Sequence, residues 1–118
     1  MTPAPLKPQI SLDELEKIDI RVGTIIGVED VPRSQRLLKL TVDFGDHQRS
    51  ILVGMKGERA DPAADLLGRQ TLFVVNLATR KLAGELSQGM LFDIGAADGI
   101  VPVLALLERA VPNGTRAG

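Results

Sequence analysis

Cysteine is absent from this chain of 118 residues. Disulfide bridges and thiolate metal sites are therefore excluded, and a cytoplasmic location is expected. Tyrosine and tryptophan are absent too, leaving Phe44, Phe73 and Phe92 as the aromatic residues, all three expected in the core. A binder that stacks single-stranded bases on aromatic side chains is thereby disfavoured. His47 is the one histidine. Zinc would have to rest on carboxylates almost alone, and a general base needs a positioned partner, so His47 reads as a solvated turn residue. No G-x-G-x-x-G, Walker loop or G-x-S-x-G occurs, so no metal or cofactor is expected and the chain does not read as an enzyme. No apolar run approaches the ~20 residues of a membrane helix. The opening MTPAPLKPQI lacks the apolar core of a secretion signal. Net charge is -1, which argues against a broad electrostatic grip on nucleic acid and leaves room only for a local basic patch.

What is present fits one globular domain with a modest core: 44% hydrophobic and 25% charged residues. Residues 1–10 carry Pro3, Pro5 and Pro8 and read as a flexible lead-in. Residues 11–118 form the expected domain. Ser11 and Glu14 have the spacing of a capping box, which predicts a short helix through Lys17. Ile18, Ile20, Val22, Thr24, Ile26 and Val28 share one strand parity and are expected to face a core. Leu38, Leu40, Val42 and Phe44 repeat the pattern, as do Ile51, Val53 and Met55. Gly45-Asp46-His47 makes a hairpin turn between them. Helical spacing of Ala60, Ala63, Ala64 and Leu67, with Pro62 near the start and Gly68 as the stop, predicts a helix from about Asp61. Two further strands follow, and the apolar run Ile100 to Leu107 is expected to end in a strand. Three strands, a helix and two strands is the order of the five-stranded OB-fold barrel, an all-β architecture. A parallel α/β sheet would need a helix in each crossover.

The stretch Thr71 to Met90 carries the functional signal. Leu72-Phe73-Val74-Val75 reads as a buried strand and Met90-Leu91-Phe92-Asp93-Ile94 as another. The loop expected between them holds Arg80, Lys81, Gly84, Ser87 and Gly89, a set suited to a polar, anionic partner.

Asn76-Leu77, Arg80-Lys81-Leu82, Gly84, Ser87 and Gly89-Met90 resemble the signature of the tRNA-binding domain family. Ile18-Asp19-Ile20-Arg21-Val22-Gly23 and Val42-Asp43-Phe44-Gly45 extend the resemblance over the chain after Ser11. Members occur as small dimeric proteins and as parts of aminoacyl-tRNA synthetases. The resemblance implies an OB-fold, a homodimer joined by the C-terminal extension, and a non-catalytic tRNA-binding role. Its expected site comprises Arg36, Lys39, Asn76, Arg80, Lys81, Ser87 and Met90. Arg80 and Lys81 would hold phosphates, while Asn76 and Ser87 bond sugar or base edges. Without aromatic platforms, recognition of folded RNA by shape and phosphate is expected.

The chain also departs from the family. Val31 and Gln35 stand in a segment that is typically His-Pro-x-Ala-Asp-Lys-Leu, and Val53 stands where Ser is common. The alternative partner is an unfolded precursor protein. A sister branch, the CsaA type, resembles an export chaperone and has a segment similar to Val111-Pro112-Asn113-Gly114. Docking onto an aminoacyl-tRNA synthetase is a third possibility.

Overall fold

The computed structural model describes residues 2–118. In chain order its elements are α1 (Leu12–Leu15), β1 (Ile20–Asp30), β2 (Leu38–Asp43), β3 (Gln48–Val53), α2 (Pro62–Leu66), β4 (Gln70–Val74), β5 (Arg80–Leu82), β6 (Glu85–Ser87), β7 (Met90–Leu91) and β8 (Arg116–Ala117), with a 3-10 turn at Ala96–Asp98. The main sheet runs β3-β2-β1-β4-β7, with β8 added on β1 and antiparallel pairing throughout. It curls into an all-β, OB-type half-barrel. No helix among the described residues is long and apolar enough to cross a membrane.

Both expected helices form. Ser11 Oγ accepts from the Glu14 backbone N–H at 3.2 Å, so α1 is capped as its sequence requires. It buries no residue. Asp61 caps α2 by accepting from Ala64 N–H at 3.2 Å, and Pro62 occupies the first turn, where no amide hydrogen is needed. Gly68 ends it with φ of +79°. Leu66 of α2 is fully buried and closes the barrel core formed by Ile25, Leu40, Val42, Phe44, Ile51, Met55, Phe73 and Leu91.

Strand β1 does not keep the single parity expected of it. The register on β2 shifts between Ile25 and Gly27. This bulge buries Ile25 completely and leaves Ile26 45% exposed. Before the bulge, the interior belongs to the odd positions. A Cβ on Gly23 would lie 2.5 Å from Val42 Cγ1 and 2.9 Å from the Phe44 ring. Val22 is buried on the opposite face, where Gly114 donates to its carbonyl at 2.7 Å and its own amide donates to Thr115 O at 2.9 Å. Residues 114–117 thus pair along the edge of β1, and Asn113 reaches Thr24 on its even face, tertiary contacts that alternation alone does not reveal.

The final third differs further from expectation. Ile100 to Leu107 forms no strand. Ile94 and Val103 make one isolated bridge, and Pro102 supplies no amide hydrogen for a ladder. In the run from Met90 to Ile94 only Leu91 is buried. Phe92, assigned to the core by its sequence setting, is 44% exposed. The run is short-paired and alternates about Leu91, so its neighbours turn outward. The Val111-Pro112-Asn113-Gly114 turn does form. Asn113 Oδ1 accepts from Thr24 Oγ1 at 2.8 Å and Gln70 Nε2 at 2.9 Å, tying the turn to β1 and β4.

Candidate nucleic-acid interface

The loop expected between Asn76 and Met90 is largely a β-hairpin. Strands β5 and β6 pair Arg80 with Ser87, Lys81 with Leu86 and Leu82 with Glu85. Its turn places Ala83 at φ +49° and Gly84 at φ +81°, the left-handed pair that a two-residue hairpin turn requires. Pairing puts Arg80, Leu82, Glu85 and Ser87 on one face and Lys81 and Leu86 on the other. The first face looks toward β2 and β3: Lys39 Nζ lies 3.5 Å from Glu85, and Ser87 reaches β3.

Ser87 is buried, 3% exposed. Its hydroxyl oxygen accepts from Leu52 N–H at 3.0 Å and donates to Gly89 O at 3.1 Å. Gln88 continues the seam. Its amide N–H donates to Ser50 O at 2.8 Å, and its side-chain oxygen accepts from Ser50 N–H at 2.9 Å. These side chains close the barrel between β3 and the β6–β7 segment, where no strand ladder does. The would-be Cβ of Gly89 lies 2.8 Å from Val74 O, so the close approach that glycine permits there is to the chain itself.

The other expected site residues fall into separate places. Asn76 is exposed, but its amide is engaged: Oδ1 accepts from Asp19 N–H at 3.0 Å, and Nδ2 donates to Lys17 O at 2.6 Å. It anchors the segment after α1, away from the hairpin tip. Arg36 and Met90 line one open groove of about 420 Å3 with Leu52, Gly54, Ile100 and Val101. Val31 and Val53, at positions where the family has polar groups, are both buried. Lys39 sits between this groove and the hairpin. Arg80 and Lys81 are exposed on β5.

Arg33 joins the basic loop to the hairpin. Its Nη1 lies 2.8 Å from where a Cβ on Gly84 would be, so the absence of a side chain at Gly84 admits Arg33 of the same chain. The loop is itself held by Lys56, which donates to Val31 O and Ser34 O and pairs with Asp30 at 2.6 Å. Among the described residues Arg33, Arg36, Arg80 and Lys81 form no ion pair. Arg33 and Arg36 are exposed on the loop, and Arg80 and Lys81 are exposed on opposite faces of β5.

Sequence reasoning missed Arg49, which shares the core parity of Ile51, Val53 and Met55 near the start of β3. Its guanidinium donates to Val75 O at 2.7 Å, Gln88 O at 3.1 Å and His47 Nε2 at 2.9 Å, and it lies 5.7 Å from the Phe44 ring centroid. His47 is no bare turn residue. It stacks on Phe44 and bonds Asp46 through Nδ1 at 2.6 Å. That bond holds the Asp46 carboxyl below its usual range. Beside it, the hydrogen bond from Arg21 holds the Asp19 carboxyl low, through contacts of 2.6 and 3.1 Å. Among the described residues no cluster of His, Cys, Asp and Glu could hold a metal ion.

The chain resembles known proteins over most of its length. Residues 20–116 match the family model described as "Putative tRNA binding domain". A methionine–tRNA ligase of Methanococcus maripaludis (strain C5) is 43% identical over 107 residues, 91% of this chain and 16% of the relative. The chain therefore spans about one sixth of such curated relatives. Among solved structures, a MetRS-related protein from Pyrococcus horikoshii superposes with a TM-score of 0.84 at 35% identity, covering 95% of this chain and all of that one. The chaperone CsaA from Bacillus anthracis gives 0.79 at 26% identity, over 94% of this chain and all of that one.

Proposed function

The chain belongs to the tRNA-binding domain family, and from that premise we propose that it is a non-catalytic, cytoplasmic protein that binds folded tRNA on the rim between the 33–36 loop and the β5–β6 hairpin. The observation that carries this reading is the approach of Arg33 to Gly84, which brings the 33–36 loop against the hairpin that bears Arg80 and Lys81. Arg33, Arg36, Arg80 and Lys81 hold phosphates there, with Lys39 beside them and Met90 forming the apolar floor of the groove next to Arg36. Ser87 supports the surface from beneath and Asn76 anchors the segment after α1, and the polar atoms of both are already bonded within the chain. A flat basic rim without aromatic platforms suits shape and phosphate recognition of folded RNA.

Phosphate contacts release counterions, so affinity falls steeply with salt. The double variant R80A/K81A is expected to flatten the slope of log K against log salt by about two contacts. An unaltered affinity and slope would move the RNA site elsewhere.

A homodimer is part of the proposal. Ile94, Ile100, Val101, Val103 and Leu106 are each at least 45% exposed on the C-terminal segment. Contiguous apolar surface of this kind marks an interface. A two-fold pairing would present two basic rims on one particle.

One observation favours a second reading, that of a chaperone for unfolded precursor proteins. The groove beside Arg36 is walled by Leu52, Met90, Ile100 and Val101, which suits an extended apolar peptide. The CsaA-like fold agrees with it. Peptide binding there would hold or strengthen as salt rises, opposite to RNA. Docking onto a synthetase would use the same dimer and leave the rim free for RNA.

A further inference from the structure

The hairpin that carries Arg80 and Lys81 leaves the barrel at Val75 and returns at Gln88. One side chain holds both feet: Arg49 Nη1 donates to the carbonyl oxygens of Val75 and Gln88. Arg49 is in turn held by His47, whose Nε2 lies 2.9 Å from the Arg49 Nε. An arginine nitrogen can only donate. Nε2 must therefore be the unprotonated ring nitrogen, and Nδ1 carries the hydrogen toward Asp46 at 2.6 Å. The arrangement requires a neutral imidazole.

We infer that Arg49 positions the RNA-binding hairpin, that it does so only while His47 is neutral, and that acid therefore weakens RNA binding. The inference rests on the rim being the RNA site. Protonation puts a hydrogen on Nε2 opposite the Arg49 Nε–H, so two donors and two positive charges meet at hydrogen-bond distance. Arg49 then loses its support and its fork leaves the Val75 and Gln88 carbonyls. The charged groups facing His47 are Asp46 on its own turn, Arg49 on β3, and the Asp19–Arg21 pair at the start of β1, with Arg116 of β8 acting on Asp19. Histidine is the side chain that ordinarily changes charge between pH 8 and pH 6, and this chain has one.

The sign makes the inference testable. Added positive charge by itself strengthens binding to phosphates, whereas loss of hairpin positioning weakens it. The dissociation constant of the full chain for tRNA is measured at pH 8 and pH 6 at constant salt, for wild type and for His47→Gln. A glutamine amide oxygen can accept from Arg49 and does not titrate. Wild type is expected to bind roughly threefold to tenfold more weakly at pH 6, the scale of one lost hydrogen bond, and H47Q to give a flat profile. In the free protein, amide exchange of residues 80–87, corrected for intrinsic rates and referred to 38–43, is expected to rise at pH 6 in wild type and not in H47Q. Equal or tighter wild-type binding at pH 6, or an H47Q profile that matches wild type, overturns the inference. If wild type binds no tRNA at either pH, the RNA reading fails, and the exchange data still decide the positioning role: a rise confined to wild type supports it, and no rise overturns it.

Discussion

On the 33–36 loop and the β5–β6 hairpin, the exposed cations Arg33, Arg36, Arg80 and Lys81 have no carboxylate partner among the described residues. On the C-terminal segment the exposed groups include the apolar Ile94, Ile100, Val101, Val103 and Leu106. A third region is the seam, where polar side chains are present but engaged: Ser87 and Gln88 on β3, and Arg49 on Val75 and Gln88. Residue type alone does not separate these regions, since Arg49 and Arg80 are the same side chain. What separates them is whether each group already has its partner within the fold. A cation bonded to backbone carbonyls shapes the surface, and a cation left in solvent can meet an external anion. An apolar side chain left in solvent can meet another subunit.

The largest break in this comparison is expected from the apolar face. Val103→Asp with Leu106→Asp places charge where the proposed interface excludes water, and such a charge is costly to bury. Sedimentation is expected to show the monomer mass, with tRNA affinity per subunit retained at each rim. A dimer that survives both changes would place the interface elsewhere.

Next in size is the seam. Ser87→Ala removes the oxygen that accepts from the Leu52 amide and leaves that buried donor unpaired, at a cost of about 1–3 kcal/mol. The midpoint of thermal unfolding is expected to fall. In R80A/K81A it is expected to stay within experimental error, because those side chains are exposed and unpaired. If the stability effects are reversed, the division between engaged and unengaged groups is wrong.

The smallest effect concerns the Asp19–Arg21 pair beneath the seam. Arg21 holds the folded Asp19 carboxyl below its ordinary value of 3.8. A depressed folded value contributes stability above the unfolded value, and that contribution disappears as pH falls through the folded one. Asp19→Asn is therefore expected to lower stability slightly at neutral pH and to reduce the loss on acidification below about pH 4. The pair is partly exposed, so added salt is expected to shrink the difference. A variant as acid-sensitive as wild type would contradict this.

Much of the fold was legible in the residues. Alternation placed β2 and β3, and Asp61, Pro62 and Gly68 marked α2 through capping chemistry that acts locally. The parity of β1 was not legible, because the bulge at Ile25–Gly27 and the edge pairing with residues 114–117 are set by contacts between distant segments. The candidate site divides in the same way. Arg80 and Lys81 were visible as a charged pair inside a family signature. The engagement of Ser87 and Asn76 was hidden, because Leu52, Lys17 and Asp19 come from elsewhere in the chain. Arg49 did leave a local signal, a cation on the core parity of Ile51, Val53 and Met55, but its partners Val75 and Gln88 come from elsewhere in the chain.

The central claim is that RNA meets the basic rim and leaves the C-terminal face to the protein. Amide chemical-shift mapping of isotope-labelled protein titrated with tRNA tests it most directly. The account expects the shifts to concentrate at residues 33–36, 39 and 80–86, with 94–106 unmoved. Shifts concentrated at 94–106, with the loop and the hairpin unperturbed, would contradict it.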